Sequence, residues 1–95
     1  MTVRVRARAR TDLDTILDYS IVEHGEAAAE AYLRAIGAAF DRLADYPGIG
    51  AARRDLSPDV RSFPVGEHRI YYVMTTTHVS IVRVLHKAMD PARHV

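Results

Sequence analysis

A chain of 95 residues with 48% hydrophobic content can build one core and has no room for a second. It has no cysteine, so disulfides, thiolate metal sites and thiol nucleophiles are excluded; no apolar run approaches the roughly 20 residues of a bilayer span, and Met1-Thr2-Val3-Arg4-Val5-Arg6 lacks the apolar stretch of a signal peptide. The net charge of +1 hides an asymmetry: residues 1–46 carry six Arg against eight Asp/Glu, residues 47–95 seven Arg/Lys against four, and twelve of the thirteen basic residues are Arg. The expectation is a single domain over residues 1–95, cytoplasmic, whose basic half suits an acidic or phosphate-bearing partner. Ordinary solvated surface would look the same.

Thr2 to Arg8 alternates Val3, Val5 and Ala7 with Arg4, Arg6 and Arg8, the period of a half-buried strand with a charged outer face. Such an edge arginine row either discourages edge-to-edge pairing or binds a partner. Thr11-Asp12-Leu13-Asp14 reads as a helix N-cap with acids in the first turn, which capping alone would explain. Leu13, Ile16, Leu17 and Ile21 share a helical face flanked by Tyr19, and Gly25 is suited to end the helix near His24. A second helix is predicted from Glu26 to Ala44, with Ala28, Ala31, Tyr32, Ala35, Ile36, Ala39, Phe40 and Leu43 at helical spacing. Pro47-Gly48-Ile49-Gly50 ends it, and 51–59 reads as a polar connector.

The dense Ile/Tyr/Val runs around Arg61–Val65, Arg69–Met74 and Val79–His86 predict a three-strand antiparallel meander. Ile81 to Leu85 is apolar except for Arg83, the pattern of a strand covered on both faces. The order is therefore β-α-α-β-β-β: an α+β domain with a helical hairpin packed on an antiparallel sheet that the first strand joins.

Chemistry is thinly represented. There is no phosphate-binding loop, since Gly48-Ile49-Gly50 is too short and no Lys-Ser/Thr follows. His86, Asp90 and His94 would share a helical face, but Pro91 disfavours a helix through them, and no metal is expected. Metal-free RNA cleavage needs a base, an acid and cations on the phosphorane. Arg61, Arg69, Arg83, His86 and Lys87 offer cations and one acid/base group, and a second proton-transfer group is not evident.

Tyr19 followed by Gly25, Leu43-Ala44-Asp45-Tyr46-Pro47-Gly48-Ile49-Gly50, Arg61-Ser62-Phe63, Arg69-Ile70-Tyr71-Tyr72 and Arg83-Val84-Leu85-His86 with Asp90 together resemble the RelE/ParE superfamily of bacterial type II toxin–antitoxin modules. The resemblance spans Val3 to Asp90, and its implied fold matches the order read from the residues. It implies one of two activities. RelE-like members are ribosome-dependent mRNA endonucleases that use basic residues on the first meander strand and an Arg and often a Tyr after the last. ParE-like members bind DNA gyrase. Here the RelE basic positions fall on Val60, Ser62 and Pro64, no Tyr follows Tyr72, and Lys87 is the one match.

The ParE branch is therefore expected: a growth-arresting, plasmid-stabilising toxin that inhibits gyrase by binding, with no catalytic residues and no cofactor. The resemblance implies a ParD-type antitoxin in a hetero-oligomer, with operator DNA reached only through that antitoxin. Candidate target contacts are Arg61, Arg69, Arg83, His86 and Lys87; candidate antitoxin contacts are Tyr19, Tyr32, Arg4 and Arg6. The alternatives are an mRNA interferase using Arg61, Arg83, His86 and Lys87, which requires them to share one solvent-facing concavity, and a non-toxic relic that only binds antitoxin.

Overall fold

The computed structural model describes residues 1–95 as two helices laid on one face of a five-stranded sheet. The elements are β1 (Thr2–Val5), α1 (Ala7–His24), α2 (Glu26–Asp45), β2 (Ala51–Ala52), β3 (Arg61–Val65), β4 (His68–Met74) and β5 (His78–His86). A short 3-10 turn at Pro91–Arg93 follows. The sheet order is β1-β5-β4-β3-β2. The meander pairs antiparallel as expected, but β1 runs parallel to β5, so the sheet is mixed. Two residues of the expected connector, Ala51 and Ala52, pair with Arg61 and Ser62 and add a fifth strand.

The N-terminal boundary differs from the sequence expectation for a physical reason. The alternating run changes character at residue 6: Val3 and Val5 are β-branched, whereas Ala7 and Ala9 are strong helix formers. The helix therefore starts at Ala7, with Arg8 inside it and Arg6 at its cap position. Thr11 lies a turn inside the helix, where its hydroxyl donates to the Ala7 carbonyl at 3.2 Å. Asp12 and Asp14 are thus not first-turn capping groups.

In α2 the buried side is Ala29, Ile36, Ala39 and Leu43, supported by Tyr32, Leu33 and Phe40. Ala28, Ala31 and Ala35 face solvent, so small alanines blur the edges of the stripe. Between the helices Gly25 sits at φ +88°, a left-handed value that favours glycine. Its N–H closes α1 on the Ile21 carbonyl at 2.9 Å and its carbonyl receives the Ala29 N–H at 3.0 Å, so one residue turns the hairpin.

The main core joins the hairpin to the sheet through Ala9, Ile16, Ile36, Leu43, Ile70, Tyr72, Val79, Ile81 and Val84. The outer sheet face carries a smaller cluster of Val60, Tyr71 and Leu85 beneath Leu56 of the connector. This double coverage is why β5 reads as a continuous apolar run.

β5 is longer than the strand beside it. Pairing with β1 covers only His78 to Ile81, after which the N-terminal chain turns away into α1. The exposed edge is closed by Asp12. Its Oδ2 accepts the Val84 backbone N–H at 2.9 Å, and its two oxygens accept Nε and an Nη of Arg83 at 2.8 Å each. The other Nη of Arg83 donates to the His94 carbonyl at 3.0 Å, fastening the C-terminal tail. Arg83 is 9% exposed.

A single removed partner would leave a nearly buried charge and an orphaned strand N–H. Asp12→Ala is expected to cost on the order of 3 kcal/mol in denaturant unfolding. Asp12→Leu combined with Arg83→Met, which removes both charges, should cost less than Asp12→Ala. A loss below about 1 kcal/mol for Asp12→Ala would contradict this role.

Candidate functional site

Where β4 begins and β5 ends, the sheet projects beneath α1 and α2 and leaves two adjoining hollows of about 310 and about 340 Å³. Tyr19, His68 and His86 line both, so they form one groove. One end is apolar, with Ile16, Val84, Leu85 and Met89; the other is more polar, with Ser20, His24, Tyr32 and Glu67. Tyr19 is 64% exposed and Met89 39%, large apolar side chains left without cover.

The polar end is built on the turn between β3 and β4. Gly66, at φ +54°, passes so close under Tyr32 that a Cβ there would come within 2.6 Å of its ring. Tyr32 Oη accepts the Glu67 N–H at 3.1 Å, reaches the Val65 carbonyl at 3.2 Å, and lies 2.6 Å from His68 Nδ1. All three contacts are satisfied when Nδ1 carries the proton and donates to Oη, while Oη–H donates to Val65. His68 Nε2 then holds a lone pair.

Across the ladder His68 pairs with His86, their rings edge to face with centroids 5.4 Å apart. The Ala88 N–H donates to His86 Nδ1 at 3.1 Å, which in the neutral ring puts the proton on Nε2. The groove thus has an acceptor and a donor imidazole side by side. Beside them Lys87 Nζ pairs with Glu67 at 2.8 Å, an exposed pair of small energetic weight. No group of three or more His, Cys, Asp or Glu side chains is placed to hold a metal ion. Asp90 caps the terminal 3-10 turn through the Ala92 N–H, so His86, Asp90 and His94 do not share a helical face.

The residues singled out from the sequence do not converge. His86 lines the groove and Lys87, next in the chain, pairs with Glu67 at its polar end, whereas Arg83 is sealed against Asp12. Arg61 is turned towards the end of α2, where it donates to the carbonyls of Gly48 at 3.3 Å and Gly50 at 2.9 Å. Arg69 is exposed on the outer side of β4. Tyr19 presents a free surface, while the Tyr32 hydroxyl is engaged within the fold. Arg4 is exposed on β1, and Arg6 donates from Nε to Ser80 Oγ at 2.8 Å.

His68 and Asp12 were not identified from the sequence. His68 carried a usable signal, since it opens a strand whose hairpin partner ends at His86. Asp12 had none, because its role depends on how far β1 reaches along β5.

Burial, and then the neighbouring His86, hold the His68 imidazole below its ordinary 6.5. The unfolded chain therefore takes up a proton at higher pH than the folded one. The stability that neutral His68 contributes is whole above 6.5 and is lost as pH falls from there through the lower folded-state value. Thermal melts at about pH 7.5 and about pH 5 should show a drop on acidification that His68→Gln makes shallower. An equal drop in both proteins would contradict it.

Sequence comparison places these features in a family. Residues 3–91 match the profile described as ParE toxin of type II toxin-antitoxin system, parDE. The chain is 34% identical over 92 residues to Toxin ParE1 of Caulobacter vibrioides, covering 97% of this chain and 95% of that one. It is 36% identical over 88 residues to Toxin ParE1 of Mycobacterium tuberculosis, covering 92% and 90%. The solved structure of a chromosomal ParDE toxin–antitoxin system from P. aeruginosa superposes with a TM-score of 0.79 at 23% identity, over 90% of this chain and 95% of that one, and shows the same fold. With the mixed sheet, the helical hairpin and the β5 strand ending Arg83-Val84-Leu85-His86 all inside the matched span, the chain belongs to the ParE toxin family of type II toxin–antitoxin systems.

Proposed function

We propose that this ParE-type toxin acts by binding: it engages DNA gyrase, holds it on cleaved DNA and stalls replication, performing no chemistry itself. A ParD-type antitoxin neutralises it in the cytoplasm by laying an extended C-terminal segment along the hairpin, with apolar side chains in the groove. Tyr19 and Met89 are the exposed apolar surfaces such a segment would cover.

The observation that carries the reading is the state of Arg83. An RNA-cleaving site built from Arg61, Arg83, His86 and Lys87 needs their cations on one open surface. Arg83 is instead held bidentately by Asp12 and Arg61 clasps two loop carbonyls, which leaves His86 and Lys87 as the members of that set not tied to the fold. A buried, carboxylate-paired guanidinium has spent its charge on the fold and cannot move onto a phosphorane without breaking the β5 edge. ParE homology of nearly the whole chain supports the same branch.

The test uses full-length toxin freed of antitoxin, added to gyrase with supercoiled plasmid and, separately, to translating ribosomes. Trapped cleaved complexes or lost supercoiling with intact mRNA is the expected outcome. Cut mRNA with unaffected gyrase would overturn the reading. So would a toxin that neither affects gyrase nor arrests growth on overexpression, the behaviour of a relic that only binds antitoxin.

A further inference from the structure

Four arginines, Arg4, Arg6, Arg8 and Arg10, are exposed within seven residues that cross from β1 into the first turn of α1. None has a carboxylate within the 4.0 Å of an ion pair; the acids of the four pairs present serve Arg53, Arg83, Lys87 and Arg93. Asp12, a turn beyond Arg8, is occupied by Arg83.

Fold stability does not account for this placement. The first turn of a helix favours acidic side chains, because its free N–H groups make that end positive. α1 has no acid in its first turn and opens with Arg8 and Arg10 instead. Like charges at the positive end of a dipole repel it, at about 0.3–1 kcal/mol each.

The intervening residues say what the surface can meet. Val3 and Val5 pack on the core and Ala9 is fully buried, so the segment turns its larger apolar side chains inward. Between Arg4 and Arg10 what faces out is guanidinium and Ala7, with no large apolar side chain exposed in that stretch. A peptide interface draws its affinity from such anchors, and a phosphate-backbone contact does not need them. Ser80 holds Arg6 by Nε alone, which leaves both Nη groups free. Ser80 is also the cross-strand partner of Arg4, so these two arginines flank one point of the sheet edge.

We propose that Arg4, Arg6, Arg8 and Arg10 form a direct contact surface for the phosphate backbone of duplex DNA, without sequence preference. Planar guanidinium groups suit bidentate phosphate pairing. The duplex, with about one charge per 1.7 Å of axis, offers a phosphate to each at any register. This adds a contact by the toxin itself to the antitoxin-mediated one that the family resemblance implies. It does not depend on the gyrase reading, because it is measured on DNA alone.

The experiment is fluorescence anisotropy of the full chain, free of antitoxin, with a labelled mixed-sequence duplex of about 25 base pairs at ~50 and ~200 mM salt. Wild type should bind, and its affinity should fall steeply with salt. Arg4→Gln/Arg8→Gln/Arg10→Gln, which spares the Arg6–Ser80 bond, should bind about 30-fold more weakly at the lower salt, with a log–log salt slope shallower by about 2.7. Arg34→Gln/Arg42→Gln/Arg54→Gln, a loss of equal charge elsewhere, should stay within a few-fold of wild type. Circular dichroism melts confirm that each variant is folded. Absence of wild-type binding, an unchanged slope in the first variant, or an equal loss in the second would overturn the proposal. Binding to a polyglutamate peptide in place of DNA would do so too, by making the surface an acidic-protein contact.

Discussion

The structure depends on one carboxylate closing the edge of a strand that its neighbour leaves half covered. β1 ends at Val5 because the chain must turn into α1, whereas β5 continues to His86. From Val82 onward β5 would present free backbone N–H groups to whatever packs there, and an unpaired N–H under a helix is costly. Asp12 projects from α1 onto that edge and accepts the Val84 N–H. The same carboxylate is then a buried negative charge, which Arg83 neutralises in a fork geometry that fits it.

From that arrangement the division of the surface follows. α1 is held against β5, so its next turns carry Ile16 into the core and leave Tyr19 above the strand end. His86 is fixed as the last paired residue of β5, opposite His68, and the groove between hairpin and sheet end takes its shape from these positions. The guanidinium that looks most like a catalytic cation in the sequence becomes part of the scaffold. Two histidines, a tyrosine and apolar side chains remain at the groove.

Much of the fold was legible in the residues, because it rests on local patterns. Period-two Val3 and Val5, the breakers at Pro47–Gly50 and the single glycine between the helices each act over a few positions. What was not legible depends on distant pairing. Thr11 and Asp12 look like a cap until Ala7 and Ala9 start the helix a turn earlier, and only the length mismatch between β1 and β5 gives Asp12 its work. Ala51 and Ala52 form a strand because β3 lies beside them, not by propensity. Arg61 and Arg83 illustrate the same limit: each reads as surface charge until the fold brings up its partners, the Gly48 and Gly50 carbonyls 13 and 11 positions from Arg61 and the Asp12 carboxylate 71 positions from Arg83.

Asp12 seals the β5 edge and keeps Arg83 out of solvent. Native-state hydrogen exchange followed by NMR measures this directly, at the Val84 amide and at Arg83 Nε–H. Both should exchange only through opening of the whole fold, as slowly as amides in the middle of β4, and both should become fast in Asp12→Asn. Fast exchange at Val84 and Arg83 in the wild-type protein, while the β4 amides stay protected, would contradict the claim and return Arg83 to the surface as an available cation.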